Sequence, residues 1–137
     1  MRFMVILKSD ENTEAGALPS SEDLVRMNEF NEQLVKAGVL LGGEGLLASS
    51  HGAKVRFTGD SPSVVDGPFT EATELVAGFW LLEVSSKAEA VEWVKRVPVR
   101  DTEIEIRRVA EVDDFGEAAT PEVRERVGRL RESAGQR

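Results

Sequence analysis

Residues 64–84 read VVDGPFTEATELVAGFWLLEV, and the apolar run that closes them decides the fold. Side chains along a strand point alternately to opposite faces. From Glu74 to Val84, Leu75, Ala77, Phe79 and Leu81 therefore take one face, and Val76, Gly78, Trp80 and Leu82 the other. A strand that is apolar on both faces is a strand buried on both faces. Residues 2–8, RFMVILK, repeat the pattern, with Phe3, Val5 and Leu7 on one side and Met4 and Ile6 on the other.

Between these two strands the chain supplies helical and turn signals. Ser20 is suited to cap a helix whose first turn carries Glu22 and Asp23, where the helix dipole favours negative charge. Leu24, Met27, Phe30, Asn31, Leu34 and Ala37 follow at helical spacing, which predicts a helix over 21–37 ended by Gly38. Residues 39–50, VLLGGEGLLASS, read as a strand interrupted by Gly42, Gly43 and Gly45, the mark of a bulge, a bend or a close approach. Residues 53–57 form a half-buried strand, TGDSPS turns the chain, and 64–66 is a short strand. Ser86 and Glu89 make a capping box that opens a helix over 87–97, which Pro98 stops, and 103–109 is the last strand of the main body.

The order is β-α-β, extra short strands, then β-α-β. It predicts an α+β fold, a ferredoxin-like split β-α-β sandwich with helices on one face of a mostly antiparallel sheet. Residues 1–110 form this domain, and 111–137 are a C-terminal helical extension. Pro121 can start its helix, on which Val123, Val127 and Leu130 make a thin apolar stripe, docked weakly or across a partner.

Two main-body helices cover only one face of the sheet. Leaving Trp80, Leu82, Met4 and Ile6 uncovered would create an interaction surface. Burying each large side chain is worth roughly 1.5–3 kcal/mol, so a homodimer stacking sheet on sheet is expected. The alternative cover is the C-terminal helix folding back.

Composition narrows the function. The 137 residues suit one domain with a real core. Zero cysteines exclude disulfides, thiolate catalysis and sulfur-ligated metals, and the single histidine, His51, leaves no histidine cluster, so neither a metal nor another cofactor is expected. A net charge of −8 disfavours nucleic acid. No apolar run approaches the ~20 residues of a membrane helix, and RFMVILK is too short for a secretory signal, so a cytoplasmic protein is expected.

Few residues are left to carry chemistry. Asp66, before Gly67-Pro68, either shapes a turn by accepting backbone N–H bonds or faces a pocket as a general base or ligand anchor. Apolar neighbours such as Phe69 would then raise its pKa by desolvation. Glu44, among the glycines, could project a second carboxylate into a cleft bounded by Gly43, and Arg56 could hold a substrate carboxylate bidentately. The glycines fail as a phosphate loop, since no Lys-Ser/Thr and no helix follow them. His51 lies in a polar turn and is expected to face solvent, while Glu71 and Glu74 solvate their own turn. No Ser–His–Asp set can be assembled around one histidine.

Asp66-Gly67-Pro68-Phe69, then Glu71, then Gly78-Phe79, resembles the signature of the DGPF-domain proteins, a branch of the YCII-related family. RFMVILK and SSEDLVRMNEFNEQLVKAGVLLGGEGL look like that family's first strand, helix and glycine-rich strand, so the resemblance covers about residues 1–110. It implies a dimeric α/β barrel. Most members of the branch have no established reaction, and several are encoded beside extracytoplasmic-function sigma factors. Related YCII proteins are proposed enzymes with a His–Asp pair in a dimer-associated pocket. This chain departs there: Met27, Asn28, Phe30 and Asn31 occupy the middle of the first helix, so only the aspartate carries over, to Asp66.

Two functions are thus expected of one pocket. The first is a cofactor-free small-molecule enzyme of the proton-transfer lyase or isomerase type, with Asp66 as base and Glu44, Arg56, Gly43 and Phe69 around the substrate. The second is a non-catalytic ligand-binding or regulatory dimer that works with a sigma factor.

Overall fold

The computed structural model describes residues 1–71 and 74–136. The elements in chain order are β1 (Arg2–Lys8), α1 (Glu11–Glu14), α2 (Ser21–Lys36), β2 (Leu40–Gly45), β3 (Ala53–Thr58), β4 (Ser61–Asp66), β5 (Val76–Glu83), α3 (Lys87–Val94), β6 (Ile104–Arg108) and α4 (Pro121–Ser133). This is an α+β fold with antiparallel sheets. Four strands pair in the order β2-β5-β1-β6, and β3 and β4 form a separate two-stranded sheet. Each pairing in both sheets is antiparallel. The two-faced apolar strands, β1 and β5, are the two central ones.

Register settles which faces match. Val5 lies opposite Trp80 and Phe3 opposite Leu82, so these four share one face. Met4 opposite Leu81 and Ile6 opposite Phe79 share the other. The expectation that Trp80 and Leu82 stand uncovered beside Met4 and Ile6 is therefore corrected. Trp80 and Leu82 are buried with Phe3, Val5, Phe30, Leu34, Val84, Ala90 and Val97 in the core beneath the helices. The uncovered set is Met4, Ile6, Phe79 and Leu81, all half-buried and outside that core.

Helix α2 forms where its signals predict. Ser20 Oγ accepts from Asp23 N–H, and the Asp23 carboxylate accepts from Ser20 N–H, a reciprocal cap of two otherwise unpaired donors. Gly38, at φ 72°, ends the helix in the left-handed conformation that glycine adopts without strain. Phe30 and Leu34 are the residues α2 buries, and the Phe30 ring meets Trp80 edge to face, with centroids 5.9 Å apart. At α3, Ser86 caps Glu89 N–H as predicted, but the Glu89 carboxylate accepts from Ser85 N–H at 2.6 Å rather than from Ser86.

The hairpin is longer than the sequence suggests. Ser61, Pro62 and Ser63 join β4, and the turn shrinks to Gly59 and Asp60. Pro62 costs the ladder little, because each strand of a two-stranded sheet has one free edge. The loop after β1 also contains the short α1, whose N-cap Asp10 accepts from Thr13 N–H at 2.7 Å.

Two ion pairs tie the C-terminal segment to β1 and β6, a third lies within it, and its Ala119 is buried. Arg2 pairs with Glu111 at 3.0 Å, Arg108 with Asp114 at 2.5 Å and Arg124 with Asp113 at 2.6 Å. Helix α4 buries none of its own residues, and Leu130 of its stripe is 63% exposed. Just past the helix, Gly135 and Gln136 share a cavity with Arg2, Leu41 and Leu81 and so reach one end of the open sheet face. Among the described residues no helix is long and apolar enough to cross a membrane.

Candidate functional site

A cleft of about 310 Å³ opens between α2 and the β2 side of the sheet. Leu7, Met27 and Leu40 give it apolar walls, and Trp80 and Asn31 line it from the sheet and from α2. Gly43, Gly45 and Gly78 form its floor, with Gly45 directly opposite Gly78 across the β2–β5 ladder.

The glycines of this floor differ in what holds them. A Cβ on Gly43 would lie 2.9 Å from the carbonyl oxygen of Phe79, and one on Gly78 would lie 3.0 Å from that of Glu44. Both positions are forced by the close approach of two backbones. A Cβ on Gly45 would meet nothing within 4 Å. Gly45 is the exposed last residue of the edge strand β2, and without a side chain it leaves the backbone there open to an approaching ligand. Any side chain at Gly45 would occupy the cleft.

Polarity enters through one side chain on α2. Trp80 Nε1–H donates to Asn31 Oδ1 at 2.8 Å. Indole has no acceptor, so this bond fixes which end of the amide faces the tryptophan. The Asn31 NH2 group is left to the cleft, and among the described residues it has no partner.

Of the residues singled out from sequence, Gly43 and Glu44 line the cleft. Strand alternation turns the Glu44 side chain away from the face of Gly43 and Gly45, so Glu44 offers the cleft its main chain. Arg56, Asp66 and Phe69 are not among the lining residues. Arg56 is exposed on β3, and Asp66 is exposed at the end of β4, paired with Ala53. Among the described residues the Asp66 carboxylate accepts no hydrogen bond, so the Asx-type turn bonds expected of it do not form there. His51 is exposed in a short 3-10 turn, and Glu71 and Glu74 are exposed.

The residues just after Asp66 make a clasp. Ser49 Oγ accepts from Phe69 N–H at 2.9 Å and donates to the Glu14 carboxylate, which also accepts from Ser49 N–H at 3.0 Å. Gly67 N–H donates to the Gly52 carbonyl at 3.0 Å, and a Cβ on Gly67 would fall 1.8 Å from the Ser49 carbonyl oxygen. Lys54 Nζ sits 4.3 Å from the Phe69 ring centroid. The Asp-Gly-Pro-Phe segment thus fastens the base of the hairpin to α1 and to the segment after β2.

Sequence inspection missed Asn31, Met27, Gly45 and Trp80 as cleft residues. Asn31 was legible as a polar residue on the apolar stripe of α2, a position that asks for a buried donor nearby; Trp80 could have been named as that donor only once register was known. The carboxylates held below their ordinary values lie elsewhere: Asp10 by the Thr13 N–H, Glu105 by Arg107 and Lys8, and Asp114 by Arg108 and the Glu111 N–H. Among the described residues no group of three His, Asp or Glu is placed to hold a metal ion.

Set beside known proteins, residues 1–113 match the model of the YCII-related domain. An uncharacterised protein of Rhizobium meliloti (strain 1021) is 29% identical over 97 residues, covering 69% of this chain and 78% of that protein. Among solved structures, a 5-chloro-2-hydroxyhydroquinone dehydrochlorinase from Burkholderia phenoliruptrix AC1100, in complex with 2,5-dihydroxybenzoquinone, is similar at 14% identity with a TM-score of 0.48. That alignment covers 81% of this chain and 95% of that one.

Proposed function

The chain belongs to the YCII-related domain family, and from that premise we propose that it binds a small organic molecule in the cleft between α2 and the sheet. The observation that carries this is Gly45: a strand glycine with open space above it, on the floor of a cleft of about 310 Å³. Cavities of about 300 Å³ and upward, mostly apolar with one or two polar groups, are the usual form of ligand sites. Ligand binding is better supported than proton transfer, because a base at the cleft would need a carboxylate there. The Glu44 side chain is turned to the other face, and Asp66 does not line the cleft.

The assembly proposed with it is a homodimer. The strand order β2-β5-β1-β6 supports a ferredoxin-like reading of the sheet. Two copies stacking Met4, Ile6, Phe79 and Leu81 against each other would close a dimeric α/β barrel. Support comes from the position of those four side chains outside the core and from the exposure of the α4 stripe, which leaves a partner as the better cover.

The test uses Trp80 as reporter. In a Trp93→Phe protein, whose remaining indole lines the cleft, a bound molecule changes the emission saturably, and Gly45→Val abolishes that change. A screen of small carboxylates, quinols and phosphates in which no compound alters Trp80 emission or raises the melting temperature would refute the proposal. Co-purification of a sigma factor at physiological salt would favour the regulatory form of ligand binding.

A further inference from the structure

We infer that the molecule held in this cleft is uncharged and presents a hydrogen-bond-accepting oxygen, a carbonyl or a hydroxyl, to the Asn31 amide. This rests on the cleft being the ligand site. With the Asn31 oxygen already accepting from Trp80 Nε1–H at 2.8 Å, the group of this amide without a partner among the described residues is its NH2, a donor. Among the described residues no Lys, Arg or His lines the cleft, so an anion would enter without a counter-charge. Burying an unpaired charge is among the costliest events in a binding site, which sets carboxylates and phosphates aside. A cation fares no better, because among the described residues the cleft offers it no carboxylate: the Glu44 side chain is turned to the opposite face. Leu7, Met27 and Leu40 call for an apolar body. At the ~30 Å³ that one water takes in the liquid, the cleft holds roughly ten such volumes, room for a substituted single ring.

Three probes share one ring and differ in charge: acetophenone, benzoate and phenyl phosphate. Each is titrated at pH 7 into the Trp93→Phe protein and followed by Trp80 emission. Acetophenone is expected to bind at least tenfold more tightly than either anion. Asn31→Asp keeps an acceptor for Trp80 Nε1–H but replaces the donor with a negative charge. It is expected to weaken acetophenone by roughly five- to fiftyfold, the range for losing one hydrogen bond to a ligand, with the protein still folded by circular dichroism. Benzoate or phenyl phosphate binding as well as acetophenone, in a manner abolished by Gly45→Val, overturns the inference and leaves the cleft as the ligand site. Acetophenone binding that Asn31→Asp does not weaken also overturns it. If none of the probes binds, or if Gly45→Val leaves binding unchanged, the cleft itself is not the site and both proposals fall.

Discussion

Replacing Gly45 by valine should make the protein more stable and less able to bind, while alanine at the neighbouring Gly43 should do damage. Glycine within a strand is about 0.5–1 kcal/mol worse than alanine, a β-branched residue adds up to a further ~1 kcal/mol on a pleated surface, and the last residue of an edge strand such as Gly45 takes the lower part of that range. At Gly45 nothing opposes that gain, because a Cβ there meets no atom within 4 Å. A net stabilisation of about 1 kcal/mol is expected, a rise of roughly 3–5 °C in melting temperature for a domain of this size. At Gly43 the added Cβ would stand 2.9 Å from the Phe79 carbonyl oxygen and 3.3 Å from Trp80 Cδ1. A main-chain oxygen in a ladder cannot step aside, so Gly43→Ala should cost about 1–3 kcal/mol, the usual penalty for overpacking. Thermal denaturation by circular dichroism separates the two, and acetophenone titration reads the cleft. Gly45→Val melting as low as Gly43→Ala, or binding acetophenone as the parent does, would refute the assignment of Gly45 to a ligand.

Other perturbations address the clasp, the assembly and the extension. Ser49→Ala removes the acceptor of Phe69 N–H and the donor to Glu14, and should cost about 1–3 kcal/mol with faster hydrogen exchange across residues 53–66. Asp66→Asn should change the melting temperature by less than about 2 °C; equal losses for the two variants would contradict the division of roles between them. Leu81→Glu puts a charge on the open sheet face and should halve the mass in light scattering at micromolar protein, whereas a parent protein that is already a monomer sinks the stacked dimer. Raising salt from 0.1 to 1 M shortens the screening length from about 10 Å to about 3 Å, so the ion-paired extension should become more sensitive to trypsin around Arg124 and Arg126. Acid should act similarly. The Asp114 carboxylate is held below its ordinary value of 3.8 by Arg108, so its stabilising contribution is complete above that pH and lost as pH falls through the lowered value. Protection of the extension that is the same at pH 6 and pH 3 would count against this.

The sequence carried the element order well because each signal was local. The Ser20 cap, the Gly38 stop, Pro121 at the start of α4 and the double-faced β1 and β5 are all written within a few residues. Face matching was not local. Alternation gives each strand two faces, but whether Trp80 stands with Val5 or with Met4 depends on a register set across more than 70 positions of chain. The same limit hid the site. Asp66 drew attention as a carboxylate beside a turn, yet Gly67 is what the turn requires, since the Ser49 carbonyl oxygen occupies the space of any Cβ there. Asn31 stands in the apolar stripe of α2, but its place at the cleft depends on the Trp80 donor, which lies 49 positions away in the chain.

Strand β2 lies at the margin of the sheet, where unpaired main-chain groups can recruit foreign strands and seed fibrils. Leu46 N–H bonds the Ala77 carbonyl, which by alternation directs the main-chain groups of Gly43 and Gly45 outward to solvent. Three glycines, a register shift between Leu40 and Gly42, and the charge of Glu44 make this border a poor template. The residues that keep the cleft empty therefore also guard the border. Filling it with β-branched side chains would yield a molecule that resists heat and yet precipitates sooner on concentration.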